Sequence, residues 1–382
     1  MTTIIKTHNA EDFLALVPHL TGFQPRQSIV LVAFRGTRTC GALRYGLPEP
    51  DAPKAVRRRV ATTMVGMICR IPDVDALVPV IYTDDPFAPG DAMPFADFTR
   101  TLVLRARFSG FLVRDALCVA ADAWASYLDD DAPSTGHPLA MIAASDTHRT
   151  LAASGAAGPL ADLDAESELP VARFEIRERT AKRYTELERL RDTAELAPAL
   201  VFDHGFDGDI VGFAERLLTA DRGMTPADAA LLTFIVQGPG LRDEVLLTWA
   251  WDTGFGLAVA GMNDRHNAGL DIGDVPGSMA LGGFGMPRPD PERLRAAIGL
   301  LKDVASRVPR RAKPPLLTMI AWSYWALGSG TLAGRWMDQA RAIDRDYGLA
   351  ELLDTMLQAG HLPEWAWAVP PTEPSPAIDP DR

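Results

Sequence analysis

The chain has 382 residues, of which 47 % are apolar and 23 % charged; such a composition buries a sizeable core and excludes general disorder. Its 38 basic and 50 acidic residues leave a net charge of −12, which speaks against a nucleic-acid or membrane-surface partner. No apolar run approaches the ~18 residues of a membrane span, and at roughly 100–200 residues per domain the length predicts two domains.

The opening stretch lacks the apolar core and small-residue cleavage site of a secretory signal, so a cytoplasmic location is expected. Thr3 to Thr7 reads as a short strand. Asn9 is a good N-cap, and Phe13, Leu14, Leu16, Val17 and Leu20 form a helical stripe. Pro18 inside that stripe predicts a kink or an early end. Gly22 suits a C-cap, and Pro25 forbids continuation. Ser28 to Phe34 is a continuous apolar run of strand length, the pattern of a strand covered on both faces. Thr39 to Leu47 returns as its hairpin partner. Ala55 to Cys69 follows as an amphipathic helix. Ala76 to Thr83 is a second buried strand, and Pro79 within it argues for a place near an edge. Phe95 to Phe108 is helical, and Val113 to Ala121 is a further strand.

Residues 129–170 are looser and form the best boundary. Glu175 to Glu195 is a densely charged, solvated helix. The remainder reads as helices: 210–220, 225–237, 241–251, 291–308, 316–327, 332–343 and 349–357. Between them, 252–290 is rich in Gly, Asp, Asn and Pro and is expected to be a long irregular connection. The predicted fold class is an α/β N-terminal domain with a mixed sheet, followed by an all-α C-terminal helical domain. The expected limits are 1–155 for the first, 156–200 for a linker and charged helix, 201–369 for the second, and 370–382 for a disordered tail.

The opening carries a recognisable spacing, Pro18-x-Leu20-x-Gly22-Phe23-x-Pro25-x-x-Ser28-Ile29-Val30. It resembles a family of uncharacterised actinobacterial proteins known only as a domain of unknown function. Arg44 to Pro48, Trp124 to Tyr127, and the closing segment with Ala321, Trp322, Gly328, Gly330 and Ala340 look similar too. Members of that family often carry neighbouring cysteines before a Pro-x-x-Gly turn. Here the same region runs from Asp129 to Gly136 without cysteine, so no thiol or metal role carries over. The resemblance implies no activity, substrate or catalytic residue.

Candidate chemistry is sparse. Cys40, Cys69 and Cys118 are odd in number and widely spaced, which argues for reduced cysteines rather than a disulfide framework or zinc site. Asp84 and Asp85 end a buried strand, where α/β sheets tend to bind ligands, and two carboxylates can hold a cation or act as a base; a solvated turn before Pro86 is the simpler account. Trp124 and Tyr127 follow the last strand and suit a pocket wall or core packing. The loop between Gly22 and Ser28, with Arg44 on the next strand, borders the same strand ends. Asp203, Asp207 and Asp209 resemble a calcium loop only loosely; Asp209 as a helix cap explains them better. Gly282, Gly283 and Gly285 lack the strand and lysine of a phosphate loop. Arg57, Arg58 and Arg59 fit a solvated helix face. No cofactor and no metal is expected.

Two readings of function follow. The leading one is a non-catalytic cytoplasmic module that binds a protein partner through its helical domain. The alternative is an enzyme or sensor for a small polar ligand, bound near Ser28, Arg44, Asp84, Asp85, Trp124 and Tyr127.

Overall fold

A computed structural model of the chain describes residues 7–88, 92–154, 160–220, 223–270 and 276–367. The expected strand at Thr3 to Thr7 lies outside these residues, apart from its last one, and so does the expected disordered tail. The chain divides into two compact units, Met1–Leu163 and Asp164–Arg382. The first holds a mixed sheet with helices and the second is helical. No helix among the described residues is long and apolar enough to cross a membrane.

The first unit opens with α1 (Ala10–Thr21), capped by the Asn9 side chain on Asp12 N–H. Pro18 does not end it early: α1 runs on to Thr21, and Gly22 stops it at φ 81°. Pro18 sits in the last turn, where the intrahelical bond it forfeits is one of few that remain. The strands β1 (Ser28–Arg35) and β2 (Arg38–Gly46) then form an antiparallel hairpin. After α2 (Lys54–Ile68), β3 (Ala76–Tyr82) pairs antiparallel with β1. After α3 (Ala96–Phe108) come β4 (Leu112–Val113) and β5 (Leu117–Val119), both parallel to β3. The antiparallel strands β6 (Ala123–Ser126) and β7 (His137–Pro138) complete the sheet. Its order is β2-β1-β3-β5-β6-β7, with β4 beside β3. The helices α4 (Ala140–Ala143) and α5 (Asp146–Ser154) follow.

Two expectations are corrected here. β3 is central, not an edge strand, despite Pro79. Leu77 C=O accepts from Arg114 N–H, so the Leu77 and Pro79 peptide groups both face β4 and β5, because alternate residues of a strand point the same way. At that place residues 114–116 stand opposite only Val78 and Pro79. The donor that proline lacks thus falls at an interruption of the ladder. The single strand expected from Val113 to Ala121 is split at the same interruption.

Alternation sorts the side chains onto two faces. Ile29, Leu31, Leu77, Ile81 and Cys118 pack under α2 and α3, while Val30, Val32, Phe34, Val78, Val80, Tyr82 and Trp124 pack under α1. Both faces are covered, which is why β1 and β3 read as unbroken apolar runs.

In the second unit, α6 (Leu163–Glu166) begins at the boundary and α7 (Phe174–Leu190) is the charged helix. α7 is not wholly solvated: Thr180, Tyr184, Leu187 and Leu190 are buried. Then follow α8 (Leu196–His204), α9 (Ile210–Thr219), α10 (Pro226–Ile235) and α11 (Pro239–Ala250). The expected irregular connection at 252–290 is largely helical, with α12 (Thr253–Asn267) and α13 (Pro276–Gly282). The Asp252 side chain starts α12 by accepting from Phe255 N–H at 2.8 Å, so the glycines of this stretch do not prevent a helix. The last helices are α14 (Pro291–Arg307), α15 (Pro314–Ala326), α16 (Gly330–Arg341) and α17 (Gly348–Gln358). Aspartate and threonine caps followed by proline recur: Thr225 and Asp228 form a capping box on α10, and Asp290 caps α14. Asp209 caps α9 through Gly212 N–H at 2.8 Å.

Candidate functional site

The sheet register assembles one row of residues from six strands. Gly46 stands opposite Ser28, Ser28 opposite Tyr82, Tyr82 opposite Val119, Val119 opposite Trp124, and Trp124 opposite His137. Paired residues project to the same side of a sheet. The whole row therefore lies on the α1 face, at the carboxyl ends of the parallel strands β3 and β5. Open α/β sheets bind ligands at such ends.

Three polar atoms of this row are buried without a hydrogen-bond partner among the described residues: Ser28 Oγ, Tyr82 OH and Trp124 Nε1. Ser28 is 0 %, Tyr82 4 % and Trp124 5 % exposed. Each such group costs about 1–3 kcal/mol, so native proteins keep few of them. Five other tryptophans give a contrast, while Trp336 Nε1, like Trp124 Nε1, has no partner among the described residues. Trp249, Trp251, Trp322, Trp325 and Trp365 donate their indole N–H to the carbonyls of Ala214, Pro287, Leu281, His361 and Ala326. Those five rings are fastened into the helical core, whereas Trp124 buries its ring and leaves its donor unused.

Neighbouring residues shape the row. The His137 ring packs on Trp124 at 4.7 Å between centroids. Gly136 allows this approach: its φ is 68°, and a Cβ there would lie 2.8 Å from Ala123 Cβ. Tyr82 and Trp124 flank Val119 from two strands apart, a span of roughly 10 Å at the usual strand spacing. Val119 between them is partly exposed. Burial pushes the Tyr82 phenol far above its ordinary pKa, and it stays a neutral O–H. The row thus offers two hydroxyls that donate and accept and one indole that donates. Among the described residues Ser28 Oγ has no hydrogen-bond partner. Among the described residues no cluster of His, Cys, Asp and Glu is placed to hold a metal ion.

The residues singled out from the sequence fall in different places. Ser28 and Trp124 lie in the row. Arg44 pairs with Val30 and so lies diagonal to Ser28 on the same face. Its Nη2 donates to Arg26 O at 3.1 Å, and its guanidinium stands 5.7 Å from the Phe23 ring centroid. Asp84 and Asp85 are exposed in the turn after β3; Asp85 N–H donates to Thr83 Oγ1 and Asp85 O accepts from Ala121 N–H. Tyr127 packs toward the opposite face, with its hydroxyl on Pro94 O at 2.5 Å. Cys118 shares that face, and burial raises its thiol to about 11. Sequence reasoning missed Tyr82 and His137. A tyrosine at the last position of a buried strand was the available signal for the first; the second lies in a stretch with no strand pattern.

The second unit holds two adjoining cavities of about 660 and 610 Å³ that share His204. Three basic residues, Arg179, Lys182 and Arg183, line the second beside two acidic ones, Glu186 and Asp203. Burial lowers the pKa of His204.

No curated protein and no solved structure matches the chain. A family model described as "Domain of unknown function (DUF4192)" matches residues 11–254 and 288–364. Its first segment contains the entire row from Ser28 to His137. With most of both units covered, the protein belongs to the DUF4192 family.

Proposed function

We propose that the first unit binds a small polar molecule rich in oxygen acceptors, seated over Val119 between Tyr82 and Trp124. The observation that carries this reading is the run of three buried, unpartnered polar atoms along one sheet row. A ligand with hydroxyl or carbonyl oxygens would satisfy them, and Arg44 on the same face suits a ligand that also carries a carboxylate. We read it as a sensing or carrier site. The test is a thermal-shift screen of small hydroxy and keto acids and sugars on the full chain, repeated on Tyr82→Phe and Trp124→Phe. A compound that raises Tm in the parent but not in either variant supports the proposal. Equal shifts in all three place the ligand elsewhere and overturn it.

A second reading, partner binding by the helical unit, draws on its exposed apolar side chains Val171, Phe174 and Phe202. Its test is affinity capture by the full chain and by Phe174→Glu and Phe202→Glu. A partner retained equally by the parent and both variants argues against a role for these residues.

A further inference from the structure

We infer that the helical unit carries a recognition site for an acidic peptide, and that the chain's own segment 164–167 occupies it. Three successive helices supply the site. Lys302 Nζ, on α14, donates to Glu166 Oε2 at 2.7 Å, and Tyr324 OH, on α15, donates to the same oxygen at 2.6 Å. Arg335 Nη1, on α16, donates to Asp164 Oδ1 at 2.6 Å and lies 3.3 Å from Ser167 Oγ. Gln339 Nε2, one turn further on, donates to Ser167 O at 2.7 Å. Two carboxylates, two residues apart, and the carbonyl that follows are thus read by an ammonium, a phenol, a guanidinium and an amide.

The two sides of this contact are built differently. The segment brings no buried residue in Leu163–Glu166. Charge-assisted hydrogen bonds from Lys302 and Arg335 hold its two carboxylates, and elements with few buried apolar contacts open at low free energy. The receiving side is part of the core. The Lys302 side chain is 14 % exposed, and its Nζ stands 5.5 and 5.4 Å from the ring centroids of Tyr324 and Trp336. Trp336 is fully buried, and its indole N–H has no partner among the described residues. A preformed cationic seat over an aromatic floor with an unused donor, filled by a segment with no fully buried residue in Leu163–Glu166, has the layout of acidic-motif recognition. The occupant here is tethered, so it competes at the high effective concentration of a short linker.

The test uses the full chain and a labelled peptide of residues 160–170. The double variant Asp164→Asn/Glu166→Gln weakens the tethered occupant. Fluorescence anisotropy is expected to show peptide binding to this variant about tenfold tighter, or more, than to the parent, because self-competition is reduced. Binding weakens with added salt and is lost when Arg335→Gln or Lys302→Gln is added. If the double variant keeps the parent's melting transition yet binds the peptide no better than the parent, the proposal fails. It also fails if the double variant loses that transition, because the segment is then an integral part of the fold. A peptide with its Asp and Glu residues amidated that binds as well as the acidic one overturns it too.

Discussion

Ser28 and Tyr82 stand directly opposite each other on β1 and β3, on one face of the sheet, and neither hydroxyl has a hydrogen-bond partner among the described residues. Two adjacent buried hydroxyls without partners are a standing cost to the free protein. Native folds keep few such groups, and the proposed ligand would remove the cost here.

Tyr82→Phe tests that cost. The substitution removes an orphaned hydroxyl and keeps the ring. It is expected to leave the free protein at least as stable, with a gain of about 1–2 kcal/mol by urea denaturation, while ligand binding is lost. A stability loss of about 1 kcal/mol would mean that the hydroxyl is already satisfied in the free protein.

Gly46→Leu tests access. Gly46 faces Ser28 across the hairpin, and a Cβ there meets no atom within 4 Å. The new side chain is expected to change stability by less than about 0.5 kcal/mol, as surface substitutions do. It would abolish the ligand-induced rise in Tm by covering the Ser28 end of the row. An unchanged ligand response would remove Ser28 from the site.

Glu166 predicts a pH dependence. Hydrogen bonds from Lys302 and Tyr324 hold its carboxyl below the usual value of 4.5. A depressed carboxyl stabilises the folded form above its unfolded value, and that contribution is lost as pH falls through the folded value. The advantage of the parent over Glu166→Gln in urea denaturation is therefore largest near neutral pH. It shrinks once pH drops below about 4.5. A gap of constant size across this range would show that the ion pair with Lys302 contributes nothing.

Gly256→Ala probes the packing of α12 on α11. A Cβ at Gly256 would lie 2.0 Å from Thr248 Oγ1 and 3.1 Å from Val211 Cγ1. Overpacking of this kind costs about 1–3 kcal/mol. The double variant Gly256→Ala/Thr248→Ala is expected to recover part of that loss in a double-mutant cycle. Strict additivity would show that the clash is relieved some other way.

Legibility varied with the length and periodicity of each element. Ser28–Arg35 and Ala76–Tyr82 were legible because strands covered on both faces leave unbroken apolar runs. The helices of the second unit were legible where cap and proline coincide, as at Thr225-Pro226. β4 to β7 have two to four residues each, too few for a period-2 pattern to register. α12 was hidden by glycines whose cost the Asp252 cap and tertiary packing offset. Of the site, Ser28, Arg44 and Trp124 were picked out as residues near strand ends. Tyr82 passed as one more apolar position, and Asp84, Asp85 and Tyr127 could not be separated from the row without coordinates.

The amino-acid order alone determined the fold class and the principal strands, because burial on both faces and helical periodicity are local properties of the chain. Which residues share a row was decided only by tertiary structure. Strand order and register join positions far apart in sequence, and a slip of one residue would send Ser28 or Trp124 to the opposite face.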